Sequence, residues 1–171
     1  MAKVIPPSFL ARDARRVARD LLGQYLVRRA NGKIRRFKIL ETEAYLGEQD
    51  LASHARHGRA GRAAPMFGPA GRWYVYLVYG MYEMLNVVTG RDNQASAVLI
   101  RRVDGLPGPG KLTKALKITR AFNNQPIRPK TSLWLEHDDK ISRRKIKAAP
   151  RVGVAYAGAW ASKPYRFILD A

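Results

Sequence analysis

Two glutamates spaced by a single threonine, Glu41 and Glu43, end an apolar stretch and lead into Tyr45. A carboxylate at the end of an apolar strand beside an aromatic ring is partly desolvated. That raises its basicity and suits it to taking a proton from water. The competing reading pairs each glutamate with an arginine, which 32 Lys and Arg against 13 Asp and Glu make easy to arrange. Asn86 sits in the middle of another apolar run, as a backbone-satisfied amide or as a polar group turned into a pocket. Arg101 follows five small or apolar residues, 96–100, and a half-buried guanidinium there needs an anionic partner, for which Glu43 is a candidate.

Aromatic residues form the second group. Tyr74 and Tyr76 fall on one face of the run RWYVYLVY, and Tyr79 stands beside Gly80 where that run turns. Tyrosine packs well within sheets, so ordinary packing accounts for some of these rings. An aromatic at a glycine turn is more often exposed, and an exposed ring can stack on bases or wedge between them. His54 and His57 are three residues apart. With no cysteine, a single further histidine and no H-E-x-x-H pattern, they predict no metal site. A hydrogen-bonding or stacking role for one of them fits better. Gly108-Pro109-Gly110-Lys111 opens a helix whose free N–H groups and lysine suit a phosphate, although the P-loop spacing is missing. Gly110, Lys111, Thr113 and Lys114 are therefore candidate phosphate contacts.

Charge decides the kind of partner. The 171 residues carry a formal net charge of +19, spread along the whole chain, which draws the protein to polyanions. The absence of cysteine excludes a disulfide scaffold and thiolate metal sites. No apolar run approaches the roughly 20 residues of a membrane helix, and Pro6 and Pro7 interrupt any signal-like stretch. The expectation is a soluble, nucleic-acid-facing protein of the bacterial cytoplasm or a nucleus, with no membrane partner, folded as a single domain over residues 1–171.

The elements that must position these residues are legible in part. Apolar spacing from Ala14 to Leu22, with Asp13 as cap and Gly23 as stop, predicts a helix over 13–22. Residues 24–30 and 33–45 read as strands joined at Asn31-Gly32. Strict alternation along the second strand places Phe37, Ile39, Glu41, Glu43 and Tyr45 on one face. Residues 46–71 read as an irregular basic loop, long enough to suggest a functional one. Strands are expected at 72–79, 82–89, 95–103, 133–136, 151–155 and 165–169, and a short helix from GPGK to about residue 118. The class is α+β: a largely antiparallel curved sheet with flanking helices and a protruding hairpin tipped by Tyr79, Gly80 and Met81.

Taken in order, ETEAYLG at 41–47, His54, APMFG at 64–68, YVYLVYGMY at 74–82, Asn86, VLIRR at 98–102, GPGKLTKAL at 108–116 and RVGVAYAGAWASKPYRF at 151–167 resemble the alkyladenine (3-methyladenine) DNA glycosylases. The resemblance runs from about Ser8 to the chain's end. It implies a monomeric, cofactor-free enzyme that flips damaged purines out of duplex DNA and hydrolyses the N-glycosidic bond, leaving an abasic site. Alkylated purines are the implied substrates, with deaminated purines as a further class. It makes Glu43 the base that activates water and leaves Glu41 without that role. Tyr45, His54 and Tyr76 would line the base pocket, and Asn86 its edge. Arg101 would hold water and backbone, and Tyr79 would fill the place of the flipped base. The chain has Arg62-Ala63 where relatives often have Arg-Asn, and only residues 102–107 where many carry a longer stretch. Two rival readings are a non-catalytic basic nucleic-acid-binding domain and a glycosylase/lyase using a lysine nucleophile, for which no lysine matches a motif position.

Overall fold

The computed structural model describes residues 3–140 and 145–170. Pro7 opens α1 (Pro7–Leu10), a single turn, at the position where its fixed φ suits a helix start. Asp13 then caps α2 (Ala14–Leu21) by accepting from the Arg15 N–H. Ala14, Val17, Ala18 and Leu21 are buried along one face, while Arg15, Arg16 and Arg19 remain exposed. The helix over 13–22 is thus observed within a residue at either end.

β1 (Tyr25–Ala30) and β2 (Lys33–Tyr45) form the expected hairpin. Asn31 and Gly32 both take positive φ, 52° and 72°, which is the conformation a two-residue right-twisting hairpin turn requires. β3 (Trp73–Val78), β4 (Tyr82–Thr89) and β5 (Ser96–Val103) follow as an antiparallel meander. The short connection after β5 closes tightly, with Val103 bridged to Leu106 and Gly105 at φ 75°. Next come α3 (Pro109–Ala115), β6 (Leu133–Glu136), β7 (Ile146–Ala149) and β8 (Arg166–Leu169). The strand order is β3-β4-β5-β2-β1-β6, with β8 on β2 and β7 on β8, and every described ladder is antiparallel. The α+β class and curled antiparallel sheet agree with the sequence reading.

β2 is the strand on which the sheet turns. β5 borders residues 39–45 on one edge, while β1 and then β8 border its other edge. The register slips between residues 39 and 42, and strict alternation fails there. Adjacent Ile39 and Leu40 both enter the main core, together with Leu26, Trp73, Ile100 and Leu135. Beyond the slip, Ala44 faces the core and the Thr42 hydroxyl donates to the Ala18 carbonyl of α2, while Glu43 and Tyr45 face the opposite way. The single face assigned to Phe37, Ile39, Glu41, Glu43 and Tyr45 is therefore corrected. Phe37 and Ile39 pack on the main core, and only Glu43 and Tyr45 share a cleft.

Two further expectations are corrected. No strand forms over 151–155; the chain turns there, with Gly153 at φ 75°, and continues into the 3-10 segment Ala155–Ser162. Its strand instead lies just before, as β7, where Ile146 packs against the core. α3 ends at Ala115, because Lys117 takes φ 52° and leaves the helical path before residue 118. The glycine-rich stretch 46–71 is irregular as expected, yet two 3-10 segments, His54–His57 and Gly61–Phe67, give it shape. Ala55, Ala63, Met66 and Phe67 bury against Tyr74, Val88 and Ala97 in a second, smaller core. Burying side chains as large as Met66 and Phe67 contributes about 1.5–3 kcal/mol each, enough to hold His54 over the sheet. Ala63 sits inside this apolar cluster at 3% exposure.

Candidate active site

The concave side of the sheet at β2, β3, β4 and β5 holds a cleft of about 290 Å³, roofed by the segment around His54 and by residues 152–156. That is the low end of small-molecule pockets and suits one flat ring system rather than a dinucleotide. Glu43 lies in its wall with no solvent exposure. One carboxylate oxygen, Oε1, accepts from the Tyr45 hydroxyl at 2.8 Å. The other, Oε2, accepts from the Val152 backbone N–H at 2.7 Å and lies 3.9 Å from Arg101 Nη1. Burial pushes the Glu43 carboxyl above its ordinary range, and Arg101, the Val152 N–H and Tyr45 offset only part of that. The group is a stronger base than a surface glutamate and is held in one orientation.

Glu41, two residues earlier, stands outside the cleft. Its Oε1 meets Arg101 Nε and Arg166 Nη1, each at 3.1 Å, and Arg102 Nε lies 3.7 Å from its Oε2. The close anionic partner of Arg101 is therefore Glu41, and Glu43 is the more distant one. The expected pairing of Arg101 with Glu43 is present at 3.9 Å, and Glu41 is a closer partner that the sequence reading did not name. The cause is the same slip in β2, which turns the two carboxylates apart and leaves Arg101 between them. The arginine-pairing reading thus holds for Glu41, while Glu43 is the desolvated carboxylate.

Aromatic rings line the rest. Tyr74, Tyr76 and His54 form an interlocking group: His54 meets Tyr76 edge-on at 4.5 Å, and Tyr74 and Tyr76 lie 5.1 Å apart at 39°. His54 Nδ1 and the Tyr74 hydroxyl are hydrogen-bonded at 3.0 Å. Burial, then the nearby Arg62, Arg56 and His57, lower the His54 pKa to about 4, so the imidazole is neutral at neutral pH. Burial likewise raises the phenols of Tyr45, Tyr74 and Tyr76, which stay protonated. Asn86 satisfies both of its sequence alternatives. It is 2% exposed, its Nδ2 donates to the Tyr74 carbonyl at 3.1 Å, and the residue lines the cleft.

Tyr79 stands at the mouth, at the tip of the β3–β4 hairpin, 89% exposed. Tyr79 and Gly80 both have positive φ, 52° and 63°, and the Met81 N–H closes the turn onto the Val78 carbonyl. α3 begins directly beside this hairpin. A Cβ on Gly110 would lie 2.7 Å from Tyr82 Cδ1, so only glycine permits that approach. Lys111 and Lys114 are exposed beside it. Thr113 is not: it is 2% exposed and its hydroxyl donates to the Glu83 carbonyl at 2.9 Å. Its place among the phosphate contacts is corrected accordingly, since the hydroxyl ties α3 to β4 and does not face outward.

Sequence reasoning missed Asp50, Arg151 and the Val152 N–H. Asp50 and Arg151 form a fully buried ion pair, and 101 positions separate them. No local pattern marks such a pair, and a backbone donor carries no side-chain signal at all. Tyr74 had a signal, its two-residue spacing from Tyr76, but spacing alone does not separate a cleft residue from a packed one. Among the described residues no group of three or more His, Cys, Asp or Glu is placed to hold a metal ion, and no helix is long and apolar enough to cross a membrane.

A desolvated carboxylate beneath aromatic rings, beside a hairpin with an exposed aromatic tip, is the kind of site found in enzymes that act on a single extruded base. The family model "Methylpurine-DNA glycosylase (MPG)" matches residues 8–106 and 103–171, and the chain belongs to this family of DNA glycosylases, whose work is the repair of alkylated DNA. Among similar proteins, one from Anaeromyxobacter sp. (strain Fw109-5) is 51% identical over 169 residues, covering 95% of this chain and 87% of the relative. One from Myxococcus xanthus (strain DK1622) is 47% identical over 171 residues, covering 95% and 88%. One from Methanocella arvoryzae is 42% identical over 184 residues, covering 96% and 91%. All three bear the name "Putative 3-methyladenine DNA glycosylase".

Proposed function

We propose that this protein removes alkylated purines from duplex DNA by hydrolysing the N-glycosidic bond with water activated by Glu43, and that deaminated purines are a second, slower class. The observation that carries this reading is the Glu43 carboxylate, fully buried in a base-sized cleft and raised in basicity by that burial. The C1′–N bond breaks as water oxygen bonds to C1′. The bonding electrons leave with the purine, and the water proton passes to Glu43. Positive charge builds on the sugar as the bond lengthens, and an anionic carboxylate nearby stabilises it. An N-alkylated purine is already cationic and departs neutral, so no acid is required to release it. A deaminated purine is neutral and must acquire a proton, which accounts for the slower class.

Tyr45, His54 and Tyr76 hold the extruded base by stacking and edge contacts, and Asn86 reads its edge. Arg101 orients water and the nucleotide backbone. Tyr79 fills the gap left in the duplex, while the Gly110 N–H, Lys111 and Lys114 take phosphates. No lysine lines the cleft among the described residues, which supports hydrolysis by water over attack by an amine.

The test is a panel of duplexes, each with one modified purine, incubated with the protein and scored for abasic sites. Abasic sites at alkylated purines, with no strand cleavage and no borohydride-trapped adduct, are expected. A panel without abasic sites overturns the reading, and a trapped adduct replaces water by an amine nucleophile. Undamaged duplex should bind with a steep salt dependence, a log–log slope of about −0.9 per phosphate neutralised. Lys111→Ala should weaken every sequence alike and flatten that slope by about one unit. Equilibrium titrations at three salt concentrations check both points, and a flat wild-type titration would remove the electrostatic account.

A further inference from the structure

The segment that brings the Val152 N–H to Glu43 belongs to no strand. A buried ion pair holds it. Arg151 Nη1 lies 2.6 Å from Asp50 Oδ2 and Nη2 lies 2.9 Å from Oδ1, with both side chains wholly excluded from solvent. Asp50 also accepts from the Leu46 and Ala52 N–H groups, each at 3.0 Å. Arg151 also donates to the Ala44 carbonyl at 2.9 Å, and its guanidinium lies 4.9 Å from the centre of the Tyr45 ring. The pair thus grips the residues on both sides of Tyr45, and Arg151 is the residue before Val152. Tyr45 and Val152 are the two hydrogen-bond donors to Glu43. A buried ion pair contributes little net stability, because desolvation offsets its attraction, so its presence here calls for another role.

We propose that Asp50 and Arg151 are positioning residues that fix the Tyr45 hydroxyl and the Val152 N–H on the two oxygens of Glu43 and so keep it ionised at the pH of excision. The proposal rests on the reading of Glu43 as the base. The groups that face Glu43 are Tyr45 on its own strand, Tyr76 on β3, Arg101 on β5 and Arg151 in the turn after β7. Arg166 lies opposite Glu43 on β8, but its guanidinium is engaged by Glu41; His54 and Tyr156 line the cleft further out. Burial favours the protonated carboxyl, and the two donors oppose it. Loosening the donors lets burial prevail, and Glu43 then loses its proton only at higher pH.

Single-turnover excision is measured against pH for wild type, Arg151→Lys and the double variant Asp50→Asn with Arg151→Met. Lysine keeps the charge but loses the two-pronged geometry. The double variant removes both charges, leaves no buried charge unpaired, and keeps one side-chain oxygen to accept from either the Leu46 or the Ala52 N–H. Thermal melts confirm that each is folded. In both variants the acidic limb, where rate rises as Glu43 ionises, should move up by about one pH unit, and the rate should recover on its alkaline side. A limb that stays in place while rate falls equally at every pH makes the pair a scaffold and overturns the proposal. On the wild-type enzyme, the Val152 amide should exchange slowly with solvent and its shift should titrate with the midpoint of the rate limb. Fast exchange with no titration overturns the proposal without any variant. Glu43→Gln runs alongside. If it keeps full excision, the reading of Glu43 fails; if it is inactive and the limb has not moved, only the positioning role fails.

Discussion

Glu43→Gln should lower single-turnover excision by about 100-fold or more, while affinity for lesion-bearing duplex stays within a few-fold of wild type. The substitution preserves shape and removes basicity. Its amide oxygen can still accept from the Val152 N–H, and the Tyr45 hydroxyl can rotate to accept from the amide nitrogen, so both contacts to the native carboxylate have replacements. What is lost is the proton acceptor and the negative charge beside the sugar, and a 100-fold effect corresponds to about 2.7 kcal/mol of barrier. Glu41→Gln is the comparison. Glu41 stands outside the cleft, where it draws on Arg101, Arg102 and Arg166, so its loss should reduce excision less. The two variants and wild type are assayed with one lesion duplex, with binding measured separately. An inactive Glu41→Gln beside a near-normal Glu43→Gln would transfer the base to Glu41.

Tyr79→Ser should impair excision unequally, more for a lesion in a stable base pair than for one opposite a mismatched partner. The side chain is 89% exposed, so its removal leaves the folded chain and the rings of Tyr45, His54 and Tyr76 unchanged. Extruding a nucleotide costs a few kcal/mol of stacking and pairing, and less where the base is already loose. An aromatic ring stacked into the vacated place returns about 1–3 kcal/mol, a factor of roughly 10 to 100 in the population of the flipped state. The deficit in the matched context should approach that factor, and in the mismatched context it should be several-fold smaller. Single-turnover rates for both contexts, wild type and variant side by side, give the comparison. An equal deficit in the two contexts would assign Tyr79 to general DNA affinity and not to extrusion.

Sequence alone determined whatever depends on neighbours a few residues apart. Asp13 and the apolar spacing behind it define α2, and Asn31-Gly32 defines the first hairpin, because capping and turn geometry are local. The Tyr79-Gly80 tip follows from strand composition on both sides of a glycine, and the exposed ring was foreseeable for the same reason. Glu43 and Tyr45 share a face because they are two apart on one strand, and that alternation survives beyond the slip in β2.

Only the tertiary structure decided which partners those residues meet. Arg101 took Glu41 as its close partner, and Thr113 turned inward to the Glu83 carbonyl. Asp50 met Arg151 across 101 positions, and the backbone of Val152 reached Glu43 across 109. Periodicity describes one element at a time. It cannot report where a curled sheet changes its facing, nor which distant segment returns to cover it. The strand expected over 151–155 failed for this reason: Arg151 buries its charge on Asp50 and Gly153 turns the chain, so residues that look like a strand serve as the lid on Glu43. A buried charge needs a partner wherever the chain can supply one, and three-dimensional proximity, not sequence distance, determines which partner is within reach.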